Sequence, residues 1–147
     1  MKTAFTMIEL IFVVVVLGIL SAIALPKFAS TKNQADIASG RADVSVIRSA
    51  IVSERQTQLV KGVNSYIPKL SPTGETTTLF KGDGTRSLLL YGISAGTGSG
   101  DWSVVTGSGE KQYRYLVNGV TTTFDYNSTS GIFGCAAGTG KCNALVN

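Results

Sequence analysis

Lys2-Thr3-Ala4-Phe5-Thr6-Met7-Ile8-Glu9-Leu10 opens the chain, and from Ile11 to Leu25 every residue is apolar except Gly18 and Ser21. As a helix, Phe5 to Leu25 would be about 31 Å long at 1.5 Å per residue, close to the hydrocarbon thickness of a bilayer. Glu9 is the only charge in that span. A charge deep in a spanning helix costs about 2.5 to 3.5 kcal/mol on insertion scales, so an intramembrane acid marks a functional site whose partner has to be found.

These residues resemble the N-terminus of the type IV prepilin and pseudopilin family. The resemblance rests on Lys2 in a short leader, Ala4 just before Phe5, and Thr6 to Leu10; it continues through Gly18 and the run from Ile19 to Pro26. It implies that residues 1–4 are a leader and that a prepilin peptidase/methyltransferase cuts between Ala4 and Phe5 and methylates the new Phe5 amine. Glu9 would then pair with the N-terminus of a neighbouring subunit. Ala4 departs from the family, where glycine most often precedes the cut. Residues 5–25 are read as the transmembrane and assembly helix, crossing the bacterial inner membrane once with the C-terminal domain in the periplasm. From there an inner-membrane assembly platform would add the subunit to a homo- or hetero-oligomeric filament, periplasmic or at the cell surface. The resemblance implies that this filament would be a type IV pilus or a type II secretion pseudopilus.

Two other readings compete. In a secretory signal peptide, Lys2 supplies the n-region, Ile11 to Leu20 the apolar h-region and Ala22-Ile23-Ala24 the small-x-small cleavage site. The product would be a monomeric periplasmic protein, secreted or membrane-anchored, that captures a ligand such as DNA through Lys and Arg. Glu9 sits where such an h-region would begin, and the apolar pattern runs on through Pro26 to Phe28. A plain anchor has no reason to hold a carboxylate. Lys27 and Lys32 lie on the far side of the span, but a long following domain translocates largely regardless of charge.

The 147 residues, 44% hydrophobic and 15% charged, leave room for one domain behind the helix. A formal charge of +4, or +3 once Lys2 leaves, comes from 13 scattered basic residues and gives no nucleic-acid footprint. Catalysis has no foothold, so no enzyme is expected. There is no histidine; Asp83, Asp101, Glu110 and Asp125 are isolated in sequence, and no glycine-rich stretch has phosphate-loop spacing. No cofactor or metal is expected either.

Residues 26–61 read as an amphipathic helix continuing the first, with Ile37, Val44, Ile47, Ile51 and Leu59 at helical spacing and Asp36, Arg41, Asp43, Arg48, Glu54 and Arg55 around the remaining surface. Pro26 removes a helix hydrogen bond and is the expected kink. Gly40 is either merely tolerated or a bend, and Gly62 ends the helix. Residues 62–100 read as a variable, loop-rich region, Gly96 to Gly100 as a flexible loop, and Ser87-Leu88-Leu89-Leu90-Tyr91 as a short helix. Residues 101–147 read as an antiparallel sheet with a C-terminal disulfide loop. In it, Tyr113 to Val117 and Val120 to Tyr126 flank Asn118-Gly119, a type I′ turn pair that sets Val117 opposite Val120, Tyr115 opposite Thr122 and Tyr113 opposite Phe124. Asp101 to Val105 and Ile132-Phe133 supply two further strands. The fold class is α+β, a long N-terminal helix against this sheet.

Cys135 and Cys142 are spaced for a disulfide, worth about 2.5 kcal/mol on the chain-entropy model in an oxidising periplasm. Asn127-Ser128-Thr129, with Asp125 two residues upstream, matches an N-glycosylation acceptor and is a match that arises readily by chance in a Ser- and Thr-rich turn.

Overall fold

A computed structural model of the chain describes residues 5–146. It contains helix α1 (Met7–Val60), strands β1 (Thr78–Leu79), β2 (Ile93–Ser94), β3 (Trp102–Val104), β4 (Gln112–Val117), β5 (Val120–Asn127) and β6 (Ile132–Gly134), and helix α2 (Cys142–Val146). Strands β3-β4-β5-β6 form an antiparallel sheet in that order, and β1 and β2 pair separately. The fold is α+β. Contacts divide the chain into a unit up to Ala35 and a unit from Asp36.

The first unit is helix alone. Its described residues are exposed or at most half-buried, with Phe5, Ile8, Phe12, Ile19, Ile23 and Phe28 all open. The helix continues through Pro26, whose missing N–H leaves the Ala22 carbonyl without its intrahelical donor. By length and composition this is a helix able to cross a membrane.

The second unit holds the core. From α1 it takes Gly40, Val44, Ile47, Ile51 and Glu54, a stripe at alternating spacings of four and three. Continued, the stripe reaches Gln58, which is why Leu59, assigned to it in sequence, is half exposed at 50%. The helix ends in a Schellman motif: Val63 N–H donates to Gln58 O (2.9 Å) and Gly62 N–H to Leu59 O (3.0 Å), with Gly62 at φ 79°.

The β4–β5 hairpin has the register expected from the turn, with Val117↔Val120, Tyr115↔Thr122 and Tyr113↔Phe124. Asn118 and Gly119 take φ of 49° and 75°, as a type I′ turn demands. Tyr113, Tyr115, Val117, Thr122, Phe124 and Tyr126 point inward and are buried, while Val120, beside the turn, is exposed. Trp102 and Phe133 from the two edge strands complete an aromatic layer, with Phe124 stacked on Phe133 at 5.3 Å and Trp102 4.8 Å from Tyr115. Each buried tyrosine hydroxyl has a partner: Tyr115 donates to Asp36 O (2.6 Å), Tyr126 to Ile67 O (2.8 Å) and Tyr113 to Glu110 O (2.9 Å).

Four expectations need correction. Gly40 is neither merely tolerated nor a bend: a Cβ there would lie 2.4 Å from Tyr115 Cε1 and 2.8 Å from Leu145 Cδ2, so the ring and the C-terminal strap occupy its place. Glu54 is buried and forms a two-pronged pair with Arg86 at 2.6 and 2.7 Å, while Arg86 also donates to Ser65 O and Tyr66 O. Ser87 to Tyr91 is not a helix. Leu88 and Leu89 N–H donate to Lys81 O and Phe80 O across a turn capped by Asp83, so no i→i−4 ladder can form. The loop from Gly96 to Gly100 is held by Asp101 Oδ2 on Gly98 N–H and by Ser99 Oγ on Asp36.

Two outcomes follow. Gly40→Ala removes about 1 kcal/mol of helix penalty but forces Tyr115 and Leu145 aside, an overpacking cost of about 1–3 kcal/mol, so its denaturant midpoint in detergent should fall. Burial pushes the hydroxyls of Tyr115 and Tyr126 up to about 12, and that of Tyr113 further. Because the raised values favour the protonated form in the fold, their contribution is intact below pH 10 and is lost as pH rises through about 12. Absorbance at 295 nm should show a tyrosine class that ionises only there, together with loss of structure.

Candidate functional site

Thr6 precedes the first residue of α1 and Glu9 lies three residues on, and the two close a reciprocal capping box. Thr6 N–H and Oγ–H donate to Glu9 Oε2 at 2.9 and 2.8 Å, and Glu9 N–H donates to Thr6 Oγ1 at 3.3 Å. Both bonds to the carboxylate use Oε2; Oε1 takes none among the described residues. The signal was present in sequence as Thr-x-x-Glu before an apolar run, and reading Glu9 only as an intramembrane charge missed it.

Phe5, Ile8, Glu9, Phe12 and Val13 line a hollow of about 430 Å³ on this end of the helix. The carboxylate is thus set in an exposed apolar surface. Two backbone N–H groups that a helix start normally leaves unsatisfied are already paired here, so the open oxygen is free for a donor from outside. Ala4, the other side of the expected cleavage point, lies outside the described residues.

The remaining candidates stand apart. Cys135 and Cys142 are disulfide-bonded, with Cα atoms 5.8 Å apart, and the bond leads into α2, whose Leu145 is buried. Asn127 is exposed at the start of the β5–β6 turn, its Oδ1 accepting Thr129 N–H and Ser130 N–H at 2.8 and 3.2 Å. The acids isolated in sequence make structural bonds: Asp83 holds Thr85 and Arg86 N–H in a local turn, Asp125 accepts from Gln112 Nε2 across the β4–β5 pair, and Glu110 accepts Gly74 N–H from a loop 36 residues away. No cluster of three or more potential metal ligands occurs among the described residues. A polar groove of about 550 Å³ beside Ser53, Thr57, Thr85 and Arg86 has at its wall the Glu54–Arg86 pair, whose charges already satisfy each other.

Comparison with protein-family models, with curated proteins and with solved structures finds no match to this chain.

Replacing Thr6 by Ala removes the hydroxyl half of the box. Amide exchange at Met7, Ile8 and Glu9 in micelles should quicken by roughly fivefold, the scale of a lost N-cap, while exchange in the β4–β5 hairpin stays unchanged.

Proposed function

We propose that the chain is a pilin-like structural subunit that is held in a membrane by α1 and then joins a helical filament through it, in a type IV pilus or a type II secretion pseudopilus. The observation that carries this reading is Glu9: a carboxylate with an open Oε1 on a helix that is apolar around its whole circumference. In the filament that surface meets other helices, and a charge left there without a partner would be costly. Cleavage between Ala4 and Phe5 by a prepilin peptidase would place an amine four residues, about 6 Å of helix, from Glu9. Within its own chain Glu9 already accepts Thr6 N–H and Oγ–H, both through Oε2, which leaves Oε1 for a cation from outside. A neighbouring subunit displaced along the axis brings its own methylated Phe5 amine to Oε1 instead.

The inner membrane, the peptidase/methyltransferase and the assembly platform are the partners this route requires, and the product is built rather than turned over. Catalytic residues have no part in it. The disulfide formed by Cys135 and Cys142 suits the oxidising periplasm in which the second unit would fold.

Intact mass of the mature protein separates this route from ordinary secretion. A chain starting at N-methylated Phe5 is expected; one starting at Leu25 would lack Glu9 and the whole apolar helix, and the filament reading would fall. Glu9→Leu should insert and be processed normally yet reduce filament yield at least tenfold, and wild-type yield from that variant would dismiss the amine pairing.

A further inference from the structure

In the second unit the charges of α1 are sorted by side. Arg41, Arg48 and Arg55 recur every seven residues, and so do Asp36 and Asp43. At about 100° per residue, the five-residue offset from Asp36 to Arg41, or from Asp43 to Arg48, puts the two rows about 140° apart, with the buried stripe between them. Their partners confirm the sides. Asp43 accepts from Trp102 Nε1 on β3 (2.9 Å), and Asp36 from Ser99 just before that strand (2.5 Å). Arg48 donates to Phe133 O on β6 (2.9 Å), and Arg41 to Ala144 O of α2 (2.7 Å). Strands β3 and β6 are the opposite edges of the sheet, about 14 Å apart at the usual strand spacing.

None of these five charges meets an opposite charge. Their partners are carbonyls, a hydroxyl, an indole and, for Arg55, Val63 O, the Asn64 side chain and the Tyr66 ring, and the salt bridge found among the described residues is Arg86 to Glu54. The rows are therefore fixed in direction by neutral bonds while their charge stays uncompensated, acidic along one edge of the unit and basic along the other.

We infer that the basic edge, Arg41, Arg48 and Arg55, docks against the acidic edge, Asp36 and Asp43, of a second copy of this chain. Two different edges in contact make a heterologous interface, the type that propagates instead of closing into a dimer. The match in spacing is direct, since each row repeats every two helical turns, about 10.5 Å. Side chains make the contact, because the outer edge of β3 is already bridged by Ala95. This deepens the assembly reading and takes its setting from it.

The test uses the full chain, in detergent micelles and in cells. Arg48→Cys combined with Asp43→Cys should form an inter-chain disulfide, whereas Arg48→Cys with Arg41→Cys should not. Arg48→Glu should weaken self-association roughly threefold to tenfold at low salt, Arg48→Lys should keep it, and Asp43→Lys, at the residue that faces position 48 in this register, should restore it in the Arg48→Glu background. Raising the salt should erase these differences. Loss in Arg48→Lys equal to that in Arg48→Glu would mean that Arg48 acts only by holding Phe133, and the inference fails. So does absence of the 43–48 cross-link in a chain that associates. Micellar association with this cross-link, but no filament in cells, would overturn the filament reading and leave the edge contact standing.

Discussion

Everything in this chain follows from where α1 puts its apolar side chains. Up to Phe28 they surround the helix, and no described residue in that unit is buried. From Asp36 onward they collapse to one stripe, and the aromatic face of β3 to β6 covers it. A helix apolar on all sides is the kind found in a large core or a membrane span, and by length and composition the first half could cross a membrane. The second half needs only its own sheet. The same element thus separates the surface that folds the protein from the surface left for partners.

Within the second unit the closest fit is at Gly40. Tyr115 lies where a side chain would be and donates its hydroxyl to Asp36 O one turn earlier, while Leu145 of α2 fills the other side. The disulfide from Cys135 to Cys142 and the two bonds from Arg41 to Ala144 O hold α2 in that position. Helix, hairpin and C-terminal strap therefore meet at a residue with no side chain. That is why a glycine persists in the middle of a helix it weakens by about 1 kcal/mol.

What the sequence made legible was local. Asn118-Gly119 dictates a two-residue turn, and the turn dictates the register of β4 and β5, so the hairpin could be written down residue by residue. The helix and its stop at Gly62 were readable for the same reason. The misses depend on distant partners. Glu54 looks like a surface acid until Arg86, 32 residues on, is placed beside it. Ser87 to Tyr91 has apolar content but no period, and the carbonyls of Phe80 and Lys81 decided its conformation. At the N-terminus the charge of Glu9 was conspicuous, while its capping bond to Thr6 hid in a four-residue pattern that means nothing until the helix start is fixed.

That bond changes how the charge should be understood. In an apolar medium, unpaired N–H groups at a helix start cost several kcal/mol each, and Glu9 relieves two of them by exchanging bonds with Thr6. The carboxylate is therefore not stranded, and capping alone explains why an oxygen acceptor is tolerated there. Capping does not explain a full negative charge. A glutamine would close the same box through its amide oxygen without the cost of an ion, and neutral donors soften a charge without cancelling it. Both bonds also crowd onto Oε2 and leave Oε1 without one among the described residues, on a residue that helps line an apolar hollow. What distinguishes glutamate from glutamine at this position is the ability to neutralise a cation, and in the proposed route the cation available at that depth is the amine of another subunit.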